Sequence, residues 1–293
     1  MNGIIVLNKD KGFTSMDCCA ILRGILHEKK VGHTGTLDPN ATGVLPICFG
    51  KATRLINYFE PLNKKYIAGF RLGYTSDTED VWGNVVKQSD RTYLRDDVVN
   101  LLPHGDIDQI PPMYSAKSIN GKRLYDLARS GQVVERKACR VHIDKCELLE
   151  FDGKEGLLEV ECSRGTYIRT ICADLGKDLG CGALMTSLNR TASSGFNLED
   201  SVNMDLVMKI KSESLEPSLL EPFIISIDRA MANFNRIDVD KNCFSLLING
   251  NPKAINLLSS NYNLEGITSL YYDNSLIAVV KDGVIDKVFN EDF

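Results

Sequence analysis

Residues 32–47, G-H-T-G-T-L-D-P-N-A-T-G-V-L-P-I, constrain the fold of this chain more than any other stretch. The segment is rich in glycine and contains proline, so its backbone is irregular, with positions that need a positive φ or a close approach. Asp38 lies in its middle, and Pro39 disfavours the α region for the residue before it. The sequence therefore predicts a loop that presents one carboxylate ahead of the apolar run 44–49.

Two interpretations of Asp38 remain open at this point. In the first interpretation, the carboxylate takes part in chemistry on a loop that a rigid scaffold positions. In the second, it forms an Asx-type turn and only caps its own backbone. The segment contains neither G-x-x-x-x-G-K-[ST] nor G-x-G-x-x-G, and this argues against a phosphate-binding loop.

Composition places the chain among ordinary globular proteins, with 43% apolar and 25% charged residues. No apolar run approaches the roughly 20 residues of a membrane span, and the first ten residues lack signal-peptide features. The nine cysteines include no C-x-x-C pair, so we expect buried free thiols and no metal site. These features favour a cytoplasmic protein without a membrane partner.

The charge is unevenly distributed along the chain. Residues 201–293 carry the whole formal net charge of −5, and the rest of the chain is neutral. Residues 113–145 are nevertheless locally basic, through Lys117, Lys122, Arg123, Arg129, Arg136, Lys137, Arg140 and Lys145. Such a patch suits a polyanion, although a solvated charged hairpin explains the charge equally well.

Periodicity predicts a mixture of strands and helices. We expect strands at 3–7, 66–72, 141–151 and 157–162. We expect one helix that begins at Thr14 or Ser15, helices at 51–60, 94–102, 124–129 and 202–220, and one that follows S-R-G-T-Y-I-R-T-I and continues through Leu179. Asn120-Gly121 is a strong hairpin signal inside the basic patch.

Several segments together resemble the TruB family of tRNA pseudouridine synthases. G-H-T-G-T-L-D-P-x-A-T-G-V-L-P is similar to the family's catalytic loop, K-K-Y-I-A-G-F-R-L-G to its second motif, and S-R-G-T-Y-I-R-T to a third. S-L-N-R-T-A-S-S-G-F resembles L-R-R-T-x-x-G-x-F, with Asn189 in place of the first arginine. Asp10 stands where the family usually has proline.

The resemblance implies roles for individual residues. Asp38 is the catalytic aspartate, Arg169 pairs with it, and Tyr66 stacks on the target base. Leu188 lines the base pocket, with Tyr167 close by. Without the resemblance, Tyr66 is a core aromatic and Arg169 a surface residue, although a cation in a helix's first turn opposes the dipole.

Substrate contacts are implied as well. His33 stacks into the gap left by a flipped base, and Lys122, Arg123 and Arg129 lie in a thumb insertion at about 112–140 that clamps the T-arm of tRNA. Pseudouridine formation involves no redox step and no phosphoryl transfer, so no cofactor and no metal are expected.

The predicted fold class is α+β, with a mixed β-sheet, flanking helices and the thumb. We predict a catalytic domain at 1–235 and a small C-terminal PUA-like β domain at 236–293. The predicted function is isomerisation of uridine-55 in the T loop of tRNA by a monomer without an obligate protein partner. Two alternatives remain: a guide-RNA-dependent pseudouridine synthase, and a tRNA-binding or tRNA-folding protein without catalysis.

Overall fold

A computed structural model describes residues 1–115, 117–119 and 121–289 of the chain. In chain order its strands are β1 (Gly3–Lys9), β2 (Val31–His33), β3 (Thr42–Phe49), β4 (Lys64–Leu72), β5 (Tyr74–Ser76), β6 (Val85–Lys87), β7 (Gly105–Gln109), β8 (Ser118–Ile119), β9 (Lys122–Arg123), β10 (Cys139–Phe151), β11 (Glu155–Cys162), β12 (Ala183–Ser193), β13 (Phe196–Asn197), β14 (Ser201–Asn203), β15 (Ile224–Ile225), β16 (Asn235–Asp238), β17 (Ile267–Tyr272), β18 (Ser275–Lys281) and β19 (Val284–Val288).

The α-helices are α1 (Ser15–Leu26), α2 (Ile56–Phe59), α3 (Arg95–Val99), α4 (Leu124–Arg129), α5 (Ile168–Asp178), α6 (Met204–Ser212), α7 (Ile227–Met231), α8 (Lys241–Ile248) and α9 (Lys253–Ser259). Short 3₁₀ helices occupy Gly50–Leu55, Leu198–Asp200 and Pro217–Phe223. The chain thus has the predicted α+β composition.

A large mixed sheet organises the protein, with the strand order β14-β1-β3-β12-β4-β11-β10-β7. Strands β1 and β14 pair in parallel, as do β3 and β12, whereas β4 pairs antiparallel with both β11 and β12. Strands β3, β12 and β4 are neighbours at the centre of this sheet, and each contains part of one of the family motifs. Residues far apart in sequence, such as Tyr66 and Arg190, are therefore direct neighbours across the sheet.

Helices cover the sheet. Thr14 caps α1 by accepting from the Asp17 amide, while the Asp17 carboxylate accepts from the Thr14 amide, which forms a capping box. The apolar face of α1 and the helix α6 bury one cluster against β1 and β3, including Leu22, Ile47 and Val207. Helix α5 buries a second cluster against β4, β10, β11 and β12.

A smaller sheet with the order β16-β17-β18-β19 and the helices α8 and α9 form the C-terminal part. It contacts the segment 50–59 of the larger part. Arg54 donates from Nη2 to the Val288 carbonyl at 2.7 Å, and the Lys287 ammonium donates to the Arg54 carbonyl at 2.8 Å. A small C-terminal β domain is therefore present, and the position of its boundary at 235 stays a prediction.

Three helix predictions differ from the structure. Residues 51–60 form 3₁₀ turns followed by the short α2, and the helix predicted at 94–102 is only α3. The helix predicted at 202–220 is wrong: β14 precedes α6, and the 3₁₀ segment Pro217–Phe223 follows it. Ser214 has φ of +51° and Pro217 has no amide hydrogen, so the chain cannot continue as an α-helix here.

The basic segment forms a small unit of its own. Strands β8 and β9 pair as a hairpin, α4 follows directly, and Met113, Leu124 and Leu127 make a separate buried cluster. Asn120, part of the predicted hairpin turn, lies outside the described residues. No helix in the described ranges has the length and apolar composition needed to cross a bilayer.

Candidate active site

The loop between β2 and β3 is held by two buried cations. The Arg190 side chain is fully buried and donates to the carbonyl oxygens of Val44 at 2.8 Å, Gly35 at 3.1 Å and Thr36 at 3.2 Å. Lys9 is also fully buried, and its ammonium donates to the Pro39 carbonyl at 3.1 Å. Each cation donates to three carbonyl oxygens, because Lys9 also binds those of Asp10 and Phe13.

Hydroxyl groups fix the same loop from the other elements. Ser15 Oγ accepts from the Leu37 amide at 2.8 Å, and Thr34 Oγ1 lies 2.7 Å from Ser194 Oγ. The Gly12 amide donates to the Pro39 carbonyl at 2.8 Å. The backbone that carries Asp38 is therefore bound on both sides, which places the carboxylate in one position before any substrate arrives.

Asp38 forms an ion pair with Arg169 from the first turn of α5. Arg169 Nη2 lies 3.0 Å from Asp38 Oδ2, and its other terminal nitrogen lies 3.8 Å from Asp80 Oδ2. The side chains of Arg169 and Asp80 are 9% and 10% exposed, whereas that of Asp38 is 44% exposed. Asp38 thus pairs on one side and faces solvent on the other, as a reactive group must.

Asp80 is a site residue that the sequence motifs do not single out. Its Oδ1 accepts from Thr78 Oγ1 at 2.6 Å and from the Trp82 amide at 3.0 Å, and its other oxygen faces Arg169. The buried guanidinium therefore lies between two carboxylates. The cation in the first turn of α5 does have an acidic partner, which accounts for its unfavourable position against the helix dipole.

Tyr66 lies on β4 beside this ion pair. It is 7% exposed, and burial raises the pKa of its hydroxyl, an effect that the neighbouring Arg190 opposes. The hydroxyl therefore stays protonated at neutral pH and can donate or relay a proton. Tyr66 and Asp38 face the same cavity.

That cavity has a volume of about 290 Å³. Its walls combine the charged pair Asp38 and Arg169 with the apolar side chains of Met185, Leu188 and Ile168. This volume is at the lower end of the range for small-molecule sites, so it suits a single ring. A cavity that combines an ion pair with apolar side chains suits a planar ring that must be held away from water.

Comparison with known proteins identifies the family to which the chain belongs. Residues 23–168 match the family model described as TruB family pseudouridylate synthase (N terminal domain), and residues 169–232 match tRNA pseudouridylate synthase B C-terminal domain. A protein named tRNA pseudouridine synthase B from Clostridium perfringens is 41% identical over 281 residues, 94% of this chain and 93% of that protein. This chain belongs to the TruB family.

A second relative and a solved structure extend the comparison. The tRNA pseudouridine synthase B of Bacillus cytotoxicus is 42% identical over 260 residues, 85% of this chain and 83% of that protein. A crystal structure of a Cbf5-Nop10-Gar1 complex contains a chain with a TM-score of 0.69 and 24% identity, covering 98% of this chain and 84% of that one. The pseudouridine synthase fold and a pseudouridine synthase activity follow for this TruB family member.

Tyr167 and Leu188 both line the cavity that Asp38 faces. Tyr167 is the N-cap of α5, and the buried Gln109 fixes it in two ways. Gln109 Oε1 accepts from the Tyr167 amide at 2.8 Å, and Gln109 Nε2 donates to the Tyr167 carbonyl at 3.0 Å. This clamp positions the first turn of α5, and with it Arg169.

His33 is not among the residues that line the cavity. It ends β2 opposite Ile47, and burial and the nearby Arg190 lower the pKa of its imidazole. The ring is therefore neutral at physiological pH, and within the described chain its buried Nδ1 has no hydrogen-bond partner. The stacking role of His33 stays a prediction.

The thumb residues lie outside the cavity. Lys122, Arg123 and Arg129 are exposed, and the guanidinium carbons of Arg123 and Arg129 lie 6.0 and 5.5 Å from the ring centre of Tyr125. Their separation from the ion pair fits contact with the substrate backbone rather than with the reacting base. Within residues 1–115, 117–119 and 121–289, no three His, Cys, Asp or Glu side chains are placed to hold a metal ion.

Proposed function

We propose that this enzyme converts uridine-55 in the T loop of tRNA into pseudouridine. The observation that carries the proposal is the ion pair of Asp38 with the buried Arg169 at the mouth of a base-sized cavity. The names of the relatives, tRNA pseudouridine synthase B, support tRNA as the substrate. The T-arm and position 55 follow from the family resemblance of the motifs.

Asp38 acts as the nucleophile in this proposal. Its exposed oxygen adds either to C6 of the uracil or to C1′ of the ribose, and the N1–C1′ bond breaks in both routes. The freed uracil rotates within the cavity, C5 then bonds to C1′, and the bond that Asp38 formed to C6 or C1′ breaks and releases the carboxylate. Loss of the C5 proton and protonation of N1 complete an isomerisation with no net change in atoms.

Arg169 and Tyr66 assist from fixed positions. Arg169 directs one carboxylate oxygen of Asp38 by a charge-assisted bond and leaves the other free to attack. Tyr66 stacks on the base and relays a proton through its hydroxyl. Leu188 and Met185 close the apolar side, which keeps the detached uracil from water while it turns.

The target base must leave its stack before it reaches Asp38. We propose that the nucleotide flips into the cavity and that His33 fills the vacated position. The exposed cations of the thumb contact phosphates of the T-arm, so that the loop is recognised mainly by shape and charge. The enzyme acts as a monomer in this scheme.

The test is product mapping on an unmodified tRNA transcript, without any added RNA. We expect pseudouridine at position 55 and at no other uridine. A requirement for a second, guiding RNA would support the guide-dependent alternative instead. Binding of the transcript without any product would leave only a tRNA-binding or tRNA-folding role.

A further inference from the structure

Lys64 is a buried cation in the wall of the catalytic cavity. It is the first residue of β4 and is 7% exposed. Its ammonium donates to the carbonyl oxygens of Glu60 at 3.0 Å and Leu62 at 3.1 Å. An ammonium group has three donors, so these bonds leave one for a further acceptor.

The side chain lies against the catalytic loop. A Cβ atom built on Gly35 would lie 3.4 Å from Lys64 Cε, which is van der Waals contact. Glu60 and Arg164 line the same cavity as Lys64 and Asp38. The ammonium is therefore close to the path that a flipped nucleotide must take toward Asp38.

Burial is the largest influence on the charge of Lys64, and groups of both signs act on it as well. Arg190 from β12 and Arg164 from the turn before α5 repel it, whereas the Cys162 thiol of β11 and Glu60 after α2 favour its charge. In the part of the chain that the structure describes, no carboxylate oxygen forms an ion pair with it. Burial and the two arginines lower the pKa of Lys64 to about 8.

We propose that Lys64, together with the exposed Arg164, binds a backbone phosphate next to the flipped uridine. The inference rests on the proposed function and identifies a residue that positions the substrate. In the free protein, two cations at one cavity repel each other and are partly removed from water, which destabilises their charged forms. A bound phosphate offsets both effects. Every flipped nucleotide carries such a phosphate with it.

Lys64 has a purely structural alternative role, because its two carbonyl bonds cap the segment after α2. A double-mutant cycle with the substrate separates the two roles. The ligand is a T-arm hairpin with its native backbone, or with a single neutral methylphosphonate on one side of the target uridine or the other. Affinity is measured for Lys64→Met, with every protein carrying Asp38→Asn so that the ligand is not converted.

We expect Lys64→Met to lower the affinity for the native hairpin by about 10- to 100-fold, as for a hydrogen bond to a charged group. One of the two methylphosphonates should lower the affinity of the Asp38→Asn protein with Lys64 intact by a similar factor. The two changes together should lower the affinity little more than either change alone. Additive losses at both phosphates would overturn the proposal. Lys65→Met is the matched control, because the Lys65 ammonium pairs with Glu161 at 2.9 Å. Its effect on affinity should add to the effect of either methylphosphonate.

The pH dependence gives a second measurement. A phosphate binds the protonated form of Lys64. The affinity of the enzyme for the hairpin is therefore greatest below the pKa that Lys64 has in the free enzyme, and it falls as pH rises above that pKa. With a pKa of about 8 for Lys64, native-hairpin affinity should fall about fourfold between pH 7.0 and 8.5. Lys64→Met should remove this fall, and a fall that persists in the variant would contradict the proposal.

Arg164→Gln keeps the test decisive if Lys64→Met does not fold. Arg164 is exposed, so its replacement does not disturb the core, and it should couple to the same methylphosphonate. Pseudouridine formation by the wild type on the native hairpin is measured in parallel. Absence of product refutes the proposed function, whereas product formation without any coupling refutes the role of Lys64 alone.

Discussion

Arg169 Nη2 lies 3.0 Å from Asp38 Oδ2, and this ion pair joins two motifs that are 131 positions apart in the sequence. The guanidinium comes from the first turn of α5, and the carboxylate comes from the loop before β3. Asp80 lies on the far side of the guanidinium and gives it a second carboxylate neighbour. The relationship explains how an irregular loop presents one oxygen of Asp38 in a constant direction.

Replacing Arg169 tests this positioning. Arg169→Lys retains the charge but loses the planar fork that reaches Asp38 and Asp80 together, so kcat should fall at least tenfold. Arg169→Met should lower kcat further than Arg169→Lys does. Its free energy of unfolding should decrease by about 1–3 kcal/mol because the buried Asp80 loses its cation. Single-turnover rates and urea unfolding measure both effects. Unchanged kcat in Arg169→Met would show that Asp38 needs no partner.

Tyr66→Phe separates stacking from proton transfer. The ring remains, so affinity for the T-arm should change less than about threefold. The hydroxyl is removed, and kcat should fall by about 10²- to 10⁴-fold if it relays a proton in the rate-limiting step. Tyr66→Leu is the companion variant and should weaken binding too. A Tyr66→Phe enzyme with normal kcat would restrict Tyr66 to stacking.

Arg190→Met tests the support of the catalytic loop. The variant keeps most of the side-chain volume but leaves the carbonyls of Gly35, Thr36 and Val44 without their donor. The free energy of unfolding should fall by at least about 3 kcal/mol, since hydrogen bonds to charged groups contribute about 1.5–3 kcal/mol each. Arg229→Gln is the control, because Arg229 pairs with Asp200 at the surface and should change stability little. Equal stability of the two variants would contradict the role of Arg190.

The thumb prediction concerns salt dependence. Changing Lys122, Arg123 and Arg129 together to glutamine should weaken tRNA binding and flatten the plot of log affinity against log salt. The slope should change by about 0.7–0.9 for each phosphate that the variant no longer neutralises. Lys209→Gln with Lys211→Gln on the exposed side of α6 is the matched control and should leave the slope unchanged. An unaltered slope in the thumb variant would mean that these three side chains are solvated and do not contact tRNA phosphates.

The sequence predicts the parts of the site that depend on local pattern or on family motifs. The cap at Thr14 and the strands β1, β4, β10 and β11 agree with the structure. The irregular loop predicted at 32–47 covers only 34–41, because 32–33 belong to β2 and 42–47 to β3. The resemblance also places Asp38 and Arg169 in contact, which periodicity alone does not reveal. The helix predicted at 51–60 is helical in the structure, but as a 3₁₀ helix followed by the short α2. The helix predicted at 202–220 is wrong because Ser214 with its positive φ and Pro217 interrupt a pattern of helical spacing.

The buried cations escape sequence-based prediction for a physical reason. Lysine and arginine are usually exposed, so nothing in the local pattern indicates that Lys9, Lys64 and Arg190 are buried until the sheet brings carbonyl groups around them. Arg190 does carry a signal, since it occupies the position of the second arginine in the L-R-R-T motif, although the resemblance implies a role there only for Leu188. Asp80 belongs to an acidic segment typical of a polar loop, yet it faces Arg169.

The central claim is that Asp38 is the nucleophile, and Asp38→Asn tests it most directly. Asparagine is nearly isosteric and supports the turn, but its amide is a poor nucleophile. Pseudouridine on an unmodified tRNA transcript is measured with enzyme in excess and long incubation, and tRNA affinity is measured on the same folded preparation. We predict no detectable product together with affinity near that of the wild type. Substantial turnover by Asp38→Asn would contradict the assignment of Asp38 as the nucleophile.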